Sequence, residues 1–189
     1  MKRKSLICLA FVGITVSPVW AETPTNTVKH LLDAVRSYKT TDRTASANAQ
    51  KVVEGTLPIP ELSKQVLGPQ WEKLNAAEQK NFVQLLQELL KKVAYPKSAE
   101  FFGDLQIDFV SERVTGADAV VETMVSHPKE GQVTIEYKLH QAGGRWTLND
   151  VLLDGVSLVT NVRTQMQQVI AKESYQGLLK RMRDKLTES

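Results

Sequence analysis

The sequence predicts an α+β fold in which helices precede and follow a four-stranded antiparallel sheet. Apolar residues recur with helical spacing up to about residue 96 and again after residue 157. Between residues 104 and 152 they instead alternate with polar residues, as in half-buried strands. The alternating stretches are joined by short, mostly glycine-containing turns, which is typical of neighbouring antiparallel strands.

The first 21 residues have the pattern of a secretory signal peptide. Lys2, Arg3 and Lys4 precede an uninterrupted apolar run at residues 6–14, and the small residue Ala21 follows. A basic start, a short apolar segment and a small residue at the cleavage site are what such a peptide requires. The run is shorter than the roughly 20 residues that a membrane-spanning helix needs. We therefore predict export and cleavage after Ala21.

The net positive charge of the chain comes from the predicted signal peptide. The 189 residues include 24 Lys and Arg against 21 Asp and Glu, a formal net charge of +3. Residues 2–4 supply the whole excess, so the mature chain is neutral and lacks the basic surplus that nucleic-acid binding needs. The single cysteine, Cys8, also lies in the predicted signal peptide. The remaining chain of about 170 residues suits one domain, which we place at 22–189.

Four helical segments are predicted before the sheet. The clearest begins at Asn75, with Glu78 three residues later as in a capping box, and Pro96 is expected to end it. Thr25 and Thr27 are candidate caps of the first segment. The apolar stripes consist of Val28, Leu31, Leu32, Val35 and Tyr38; Val52 and Val53; Leu62, Val66 and Leu67; and Phe82, Leu85, Leu86, Leu89, Leu90 and Val93.

The four predicted strands present one face that is apolar along most of its length, which helices should cover. Turns are expected at residues 115–116, 128–131 and 143–144. The alternating positions are Leu105, Ile107 and Phe109; Ala119, Val121, Thr123 and Val125; Val133, Ile135, Tyr137 and Leu139; and Trp146, Leu148, Asp150 and Leu152.

Two helices are predicted after the sheet. Ser157 is expected to cap the first of them. Their apolar positions are Leu158, Val159, Val162, Met166, Val169 and Ile170, and then Tyr175, Leu178, Leu179, Met182 and Leu186.

Side chains that could support catalysis or metal binding are scattered. His30, His127 and His140 are far apart in sequence, and no pair of them has metal-ligand spacing. Asp150 is better explained as a helix cap, or as an ion-pair partner of Arg163, than as a catalytic acid. We therefore predict that the protein is not an enzyme and holds no metal.

Charge is unevenly distributed along the mature chain. Residues 97–136 hold three bases and eight acids, whereas residues 137–189 hold eight bases and five acids. Two interpretations of the basic cluster at residues 180–185 stay open. Its bases either complement a helix C-terminus or form a face that docks on a partner.

Two blocks of the sequence resemble the MlaC family, also called toluene-tolerance proteins. The C-terminal block consists of residues 144–151, GRWTLNDV, then residues 155–159, GVSLV, then Asn161, Arg163 and Gln165. The upstream block consists of residues 66–68 with Trp71, Leu74, Gln79, Phe82 and Tyr95. Residues 177–179 and Leu186 also fit, so the resemblance covers nearly the whole mature chain.

The resemblance implies a soluble periplasmic phospholipid-binding shuttle. Its cargo would be a glycerophospholipid, carried between the substrate-binding subunit of an inner-membrane transporter and an outer-membrane lipoprotein complex, which maintains outer-membrane lipid asymmetry. The resemblance also implies a monomer with no cofactor besides its cargo, no nucleic-acid partner and only transient membrane contact. The implied sheet is curved and encloses an apolar cavity with the helices.

Such a carrier must shield acyl chains from water. Each exposed methylene costs about 0.8 kcal/mol, so a chain of about sixteen carbons costs of order 12 kcal/mol to extract. Two chains call for a pocket near or beyond the upper end of the usual range of about 300–1,000 Å³. We expect it between the sheet and the helices, lined by Phe82, Leu86, Leu89, Leu105, Ile107, Val121, Ile135, Tyr137, Val159 and Val162.

Other functions remain open from the sequence. A small-molecule enzyme of the steroid-isomerase-like cone fold needs a carboxylate base and a Tyr or protonated Asp in its pocket. Only Tyr137 with Asp108 or Asp150 could supply them. A chaperone or adaptor would need an exposed groove or sheet edge. Within the carrier class, a hopanoid or sterol is an alternative cargo.

Overall fold

The computed structural model describes residues 22–38, 43–103, 105–128 and 131–188, and the predicted signal peptide lies outside them. Within these ranges no helix combines the length and apolarity that crossing a membrane requires. The elements, in chain order, are α1 (Pro24–Ser37), α2 (Arg43–Thr56), α3 (Ile59–Leu67), α4 (Ala76–Leu89), α5 (Tyr95–Phe102), β1 (Ile107–Thr115), β2 (Asp118–His127), β3 (Gly131–Ala142), β4 (Arg145–Leu153), β5 (Val156–Ser157) and α6 (Leu158–Thr187).

The α+β prediction is confirmed, with one more strand than expected. The sheet has the order β1-β2-β3-β4-β5, and every neighbouring pair is antiparallel. The added strand, β5, has two residues and pairs with the end of β4. So short a strand has no alternation that a sequence pattern could reveal.

The helix starts follow from local capping. Asn75 and Glu78 form the predicted capping box: the Asn75 side chain accepts from the Glu78 amide at 3.0 Å, and the Glu78 carboxylate accepts from the Asn75 amide at 2.9 Å. Ser157 caps α6 as predicted. The cap of α1, however, is Thr23, upstream of both predicted candidates, and it accepts from the Asn26 amide at 3.2 Å.

Pro96 does not end the helical path as predicted. A π-helical turn, Leu90–Ala94, follows α4, and α5 begins at Tyr95. Pro96 therefore lies in the first turn of a new helix, where the missing amide proton removes no intrahelical hydrogen bond. Helix breaking by proline applies to a helix interior, and the π turn makes this position a helix start.

A bulge in β4 changes which residues face the helices. Leu148 and Asp150 pair with adjacent residues of β3, so Asn149 is an extra residue in β4. Val151 therefore continues the inner face after Leu148, and it packs against the core. The predicted alternation of the last strand is wrong beyond the bulge, because Asp150 and Leu152 turn to the other face.

The interior consists of two apolar clusters. The first core cluster lies between α1, α2 and the inner face of the sheet, with Val53 and Ile135 among its fully buried members. The second core cluster joins α3, α4 and the end of α6, with Leu67 and Phe82 fully buried. Leu90, in the π turn, packs against both clusters. The seam between the clusters is where the molecule has room for a cavity.

Helix α6 is two helices joined by a kink, in agreement with the two predicted segments. Ser174 has φ 77° and ψ 170°, outside the helical region. The buried residues of α6 all follow the kink: Tyr175, Leu178, Leu179 and Met182. The part before it, residues 158–173, runs along the seam without burying a residue completely.

Candidate functional site

An apolar cavity of about 310 Å³ lies at the seam between the two core clusters. Helices α3, α4 and α6, the π turn and β4 all contribute to its wall. The wall consists of Leu57, Leu62, Val66, Leu86, Leu90, Ala94, Leu148, Asn149, Asp150, Val151, Leu158, Val159 and Val162.

Local sequence explains how each element reaches the cavity. Leu62 and Val66 are four residues apart and so share one face of α3. On β4, the bulge at Asn149 carries the wall from Leu148 to Val151 without the alternation of a regular strand. The amphipathic start of α6 closes the opposite side.

Leu158 and Val162 leave this cavity open to the surface. The two residues are 39% and 38% exposed, which is unusual for large apolar residues beside a core. Val162 also lines a second apolar groove, about 290 Å³ in volume, between α4 and the two parts of α6. An exposed apolar rim of this kind suits an apolar ligand that enters the cavity across it.

Among the described residues that form the cavity wall, Asp150 is the only acidic one, and its carboxylate is fully engaged. One oxygen accepts from the Val151 amide at 2.9 Å and from the Val159 amide at 3.2 Å, and the other accepts from the Ser157 hydroxyl at 2.6 Å. The predicted capping role is therefore confirmed. The predicted ion pair is not formed, since Arg163 donates instead to the Gln65 carbonyl at 2.6 Å.

The groups needed for a steroid-isomerase-like site do not meet in this cavity. Tyr137 is 3% exposed within the first core cluster, and burial raises its pKa to about 12. Asp108 is exposed and accepts from the Gln106 amide group. Neither side chain lines the cavity wall that holds Asp150.

The ten residues predicted to line the pocket are distributed over four places. Leu86, Val159 and Val162 lie in the cavity wall. Leu89 lines the neighbouring groove. Leu105 and Ile107 line a separate pocket between α1 and β1. The rest are buried in the cores and do not line the cavity: Phe82, Val121, Ile135 and Tyr137.

Sequence reasoning missed most of the wall. Leu62 and Val66 belong to a recognised helical stripe, and Leu158 follows a recognised cap, so the patterns marked them as apolar face residues only. Leu148 and Val151 could not both be assigned to one face, because the bulge between them has no signature in the alternation. The cavity is also smaller than predicted, at the lower end of the usual range.

Comparisons with known proteins agree with this architecture. The fold matches a structure of the phospholipid-binding protein from Ralstonia solanacearum in complex with a phospholipid, with a TM-score of 0.68 and 18% sequence identity, over 89% of this chain and 97% of that chain. A search among curated proteins finds no match. A family profile described as MlaC protein matches residues 25–184, and the chain therefore belongs to the MlaC family.

Proposed function

We propose that the protein is a phospholipid-binding carrier that takes up acyl chains in the cavity at the seam. The observation that carries this proposal is the cavity wall itself, which is apolar except for Asn149 and the engaged carboxylate of Asp150. Such a wall can bury an apolar ligand, and none of its described side chains is a free acid or base that could act in catalysis. Membership of the MlaC family and the bound phospholipid of the Ralstonia protein support the same ligand class.

The finer proposal is a periplasmic shuttle. We infer that residues 1–21 are a signal peptide and that the mature domain, residues 22–189, carries a glycerophospholipid. Its partners would be the substrate-binding subunit of an inner-membrane transporter and an outer-membrane lipoprotein complex, and its role would be to maintain outer-membrane lipid asymmetry. A neutral mature chain supports brief membrane contact, because each basic residue near an anionic surface would add about 1 kcal/mol of attraction.

Uptake of a lipid with two acyl chains must enlarge the cavity. At about 310 Å³ it is far below the volume expected for two acyl chains. Residues 158–173 are the wall element best suited to move, since none of them is completely buried. Displacing them outward separates the walls of the seam while the second half of α6 stays in its core.

The test is to fill the cavity from two opposite walls. Leu86→Trp and Val159→Trp should each reduce bound diacyl lipid several-fold, because the indole occupies the space that an acyl chain would enter. Bound lipid is measured by organic extraction of the purified mature protein and mass spectrometry, which also separates phospholipid from hopanoid or sterol. Circular dichroism establishes that each variant is folded.

Val169→Trp is the matched control. Val169 lies on the same helix as Val159 but lines the groove, not the cavity. Lipid loading that survives Leu86→Trp and Val159→Trp in folded proteins would refute the cavity assignment. A purified wild-type protein that cannot be loaded with diacyl lipid would refute the carrier function.

A further inference from the structure

The carbonyl of Gln65, near the end of α3, lacks the helical partner that its position would normally have. In an α-helix this carbonyl accepts from the amide four residues later. That residue is Pro69, which has no amide proton. The Gly68 amide is already engaged, because it donates to the Lys64 carbonyl. The last turn of α3 therefore needs a hydrogen-bond donor from elsewhere in the molecule.

Arg163 of α6 supplies that donor. Its Nε donates to the Gln65 carbonyl at 2.6 Å, across 98 positions of the chain, and the contact is partly buried. A positive guanidinium at the C-terminal end of a helix is also favoured by the helix dipole. A short hydrogen bond from a charged donor is among the stronger polar contacts in proteins. The bond from Arg163 therefore holds the first part of α6 against α3.

Side chains of α6 lie directly on the backbone at the end of α3. Gly68 has φ 53°, and a Cβ added to it would lie 3.0 Å from the Gln167 Nε2 and 3.4 Å from the Arg163 Cδ. Glycine, which has no Cβ, allows both this conformation and this approach. We call this junction the α3–α6 clasp and define it by Gln65, Gly68, Arg163 and Gln167.

The clasp joins two walls of the apolar cavity at the seam. Gln65 precedes the wall residue Val66 on α3, and Arg163 follows the wall residue Val162 on α6. Within the described part of the chain, the wall includes none of the four clasp residues. The clasp therefore sets the separation of the two walls without contacting a ligand in the cavity.

We propose that Arg163 is a positioning residue that holds the cavity in a narrow form and thereby favours the release of cargo. This inference rests on the proposed carrier function and adds the regulation of its cavity. At about 310 Å³ the clasped cavity is too small for two acyl chains, so residues 158–173 must move away from α3 when a diacyl lipid is loaded. That movement breaks the hydrogen bond from Arg163 to Gln65.

Breaking the clasp lowers the affinity for lipid. A ligand that binds only one form of a protein loses the free energy needed to populate that form. The narrow form is stabilised by the clasp, so a diacyl lipid must overcome this contact to enter. When the clasp forms again, it favours departure of the lipid. A carrier that must give up its cargo gains from such a contact.

The first test removes the donor and keeps the apolar stem. Arg163→Met should bind phosphatidylethanolamine with a fluorescent head-group label roughly tenfold more tightly than the wild type, because loading no longer breaks a hydrogen bond from a charged group. Arg163→Lys, which keeps a cationic donor on a flexible chain, should have an intermediate affinity. Partition of the labelled lipid between the purified mature protein and vesicles of palmitoyl-oleoyl phosphatidylcholine measures the affinity. A merely structural role of Arg163 would weaken lipid binding instead.

Gly68→Ala tests the clasp from the α3 side. The added Cβ pushes against Arg163 and Gln167 in the narrow form only, whereas the strain of the positive φ is present in both forms. The affinity for lipid should therefore rise in this variant as well. When Gly68→Ala is combined with Arg163→Met, the gain should be smaller than the product of the two separate gains, because both substitutions weaken the same contact.

Arg183→Met is the matched control. It removes one positive charge from the same helix, at an exposed position after the kink, and should leave the affinity for lipid unchanged. Circular dichroism establishes that each variant is folded.

Hydrogen exchange adds a measurement that does not depend on affinity. Without lipid, the amides of residues 158–165 should exchange faster in Arg163→Met than in the wild type. With bound lipid, the two proteins should exchange alike in this segment, because the clasp is then broken in both.

Two results would overturn the inference. In the first, folded Arg163→Met and Gly68→Ala bind the lipid no more tightly than the wild type, which leaves the carrier function intact. In the second, residues 158–165 of the lipid-free protein exchange equally in Arg163→Met and in the wild type. A wild type that takes up no lipid would refute the carrier function itself, and the inference with it.

Discussion

Glu54 links two parts of the molecule through one carboxylate oxygen. Its Oε1 accepts from Lys91 at 2.8 Å, and from Gln50 and Gln87 at 2.9 Å each. These contacts join α2 to α4 and to the π turn beside the seam. The hydrogen bond from Lys91 is the main reason that the pKa of Glu54 is lowered, and burial opposes it.

The lowered pKa predicts a pH dependence of stability. A carboxylate whose pKa is lower in the folded than in the unfolded state stabilises the fold above its unfolded pKa of about 4.3, and the contribution is lost as pH falls through the folded value. Glu54→Gln should therefore lose less unfolding free energy than the wild type when urea titrations are moved from pH 6 to pH 3. Glu61→Gln, at an exposed position of α3, is the control. Equal pH dependence in wild type and Glu54→Gln would contradict the assignment.

At the scale of elements, the kink in α6 is the feature with the clearest energetic consequence. Ser174 adopts a backbone conformation that glycine tolerates and other residues adopt only under strain. The side chain of Glu173 folds over the start of the second part of α6, and a Cβ added to Gly177 would lie 2.6 Å from the Glu173 Cβ. Gly177 is thus required by a close approach inside the kinked helix.

Two substitutions at the kink should change stability in opposite directions. Ser174→Gly should stabilise the protein by up to about 1–3 kcal/mol, because the strain is relieved. The substitution also removes the Ser174 hydroxyl, which accepts a weak hydrogen bond from the Gly177 amide at 3.4 Å, and this loss is small. Gly177→Ala should destabilise by about 1–3 kcal/mol through overpacking, which exceeds the usual gain of about 0.5–1 kcal/mol for alanine in a helix. Urea unfolding measures both, and a stabilising Gly177→Ala would contradict the predicted clash.

At the scale of the whole molecule, two core clusters meet at a seam. The two parts of α6 differ in how firmly they are held against it. The part of α6 after the kink buries four residues, whereas residues 158–173 bury none completely. The earlier part is held by the Asp150 cap, by the hydrogen bond from Arg163 to Gln65, and by apolar side chains that pack only partly buried against the second core cluster, among them Met166 and Ile170. Local opening of residues 158–173 therefore exposes less apolar surface than opening of the part after the kink would.

Hydrogen exchange should resolve this difference. In the empty protein, amides of residues 158–173 should exchange faster than those of residues 175–187, and phospholipid loading should slow the first set more. Mass spectrometry of peptides from the two parts provides the measurement. Uniform protection along α6 in the empty protein would show that the seam does not open there.

Most bases of the cluster at residues 180–185 form ion pairs. Lys180 pairs with Asp184 at 2.8 Å, Lys185 pairs with Glu188 at 3.1 Å, and Arg181 pairs with Glu173. These acids lie on the same helix as the bases. These ion pairs offset part of the positive charge locally, and both interpretations of the cluster, complementation of the helix C-terminus and docking on a partner, stay predictions.

The sequence by itself determined the α+β class, the capping box, the cap of α6 and the break between its two parts. Each of these depends on residues within a few positions of one another, so local patterns are sufficient. The family resemblance could also be read directly, because the order and spacing of its motifs are properties of the chain.

Tertiary structure alone decided which apolar residues fill a core and which line a cavity. Ile135 and Val159 both occupy the apolar face of an element, yet Ile135 is fully buried and Val159 lies in the cavity wall. Periodicity reports the face of a helix or strand, not whether the packed neighbours leave a void. The bulge at Asn149 and the seam at Leu90 create that void through contacts between segments distant in sequence, which no local pattern encodes.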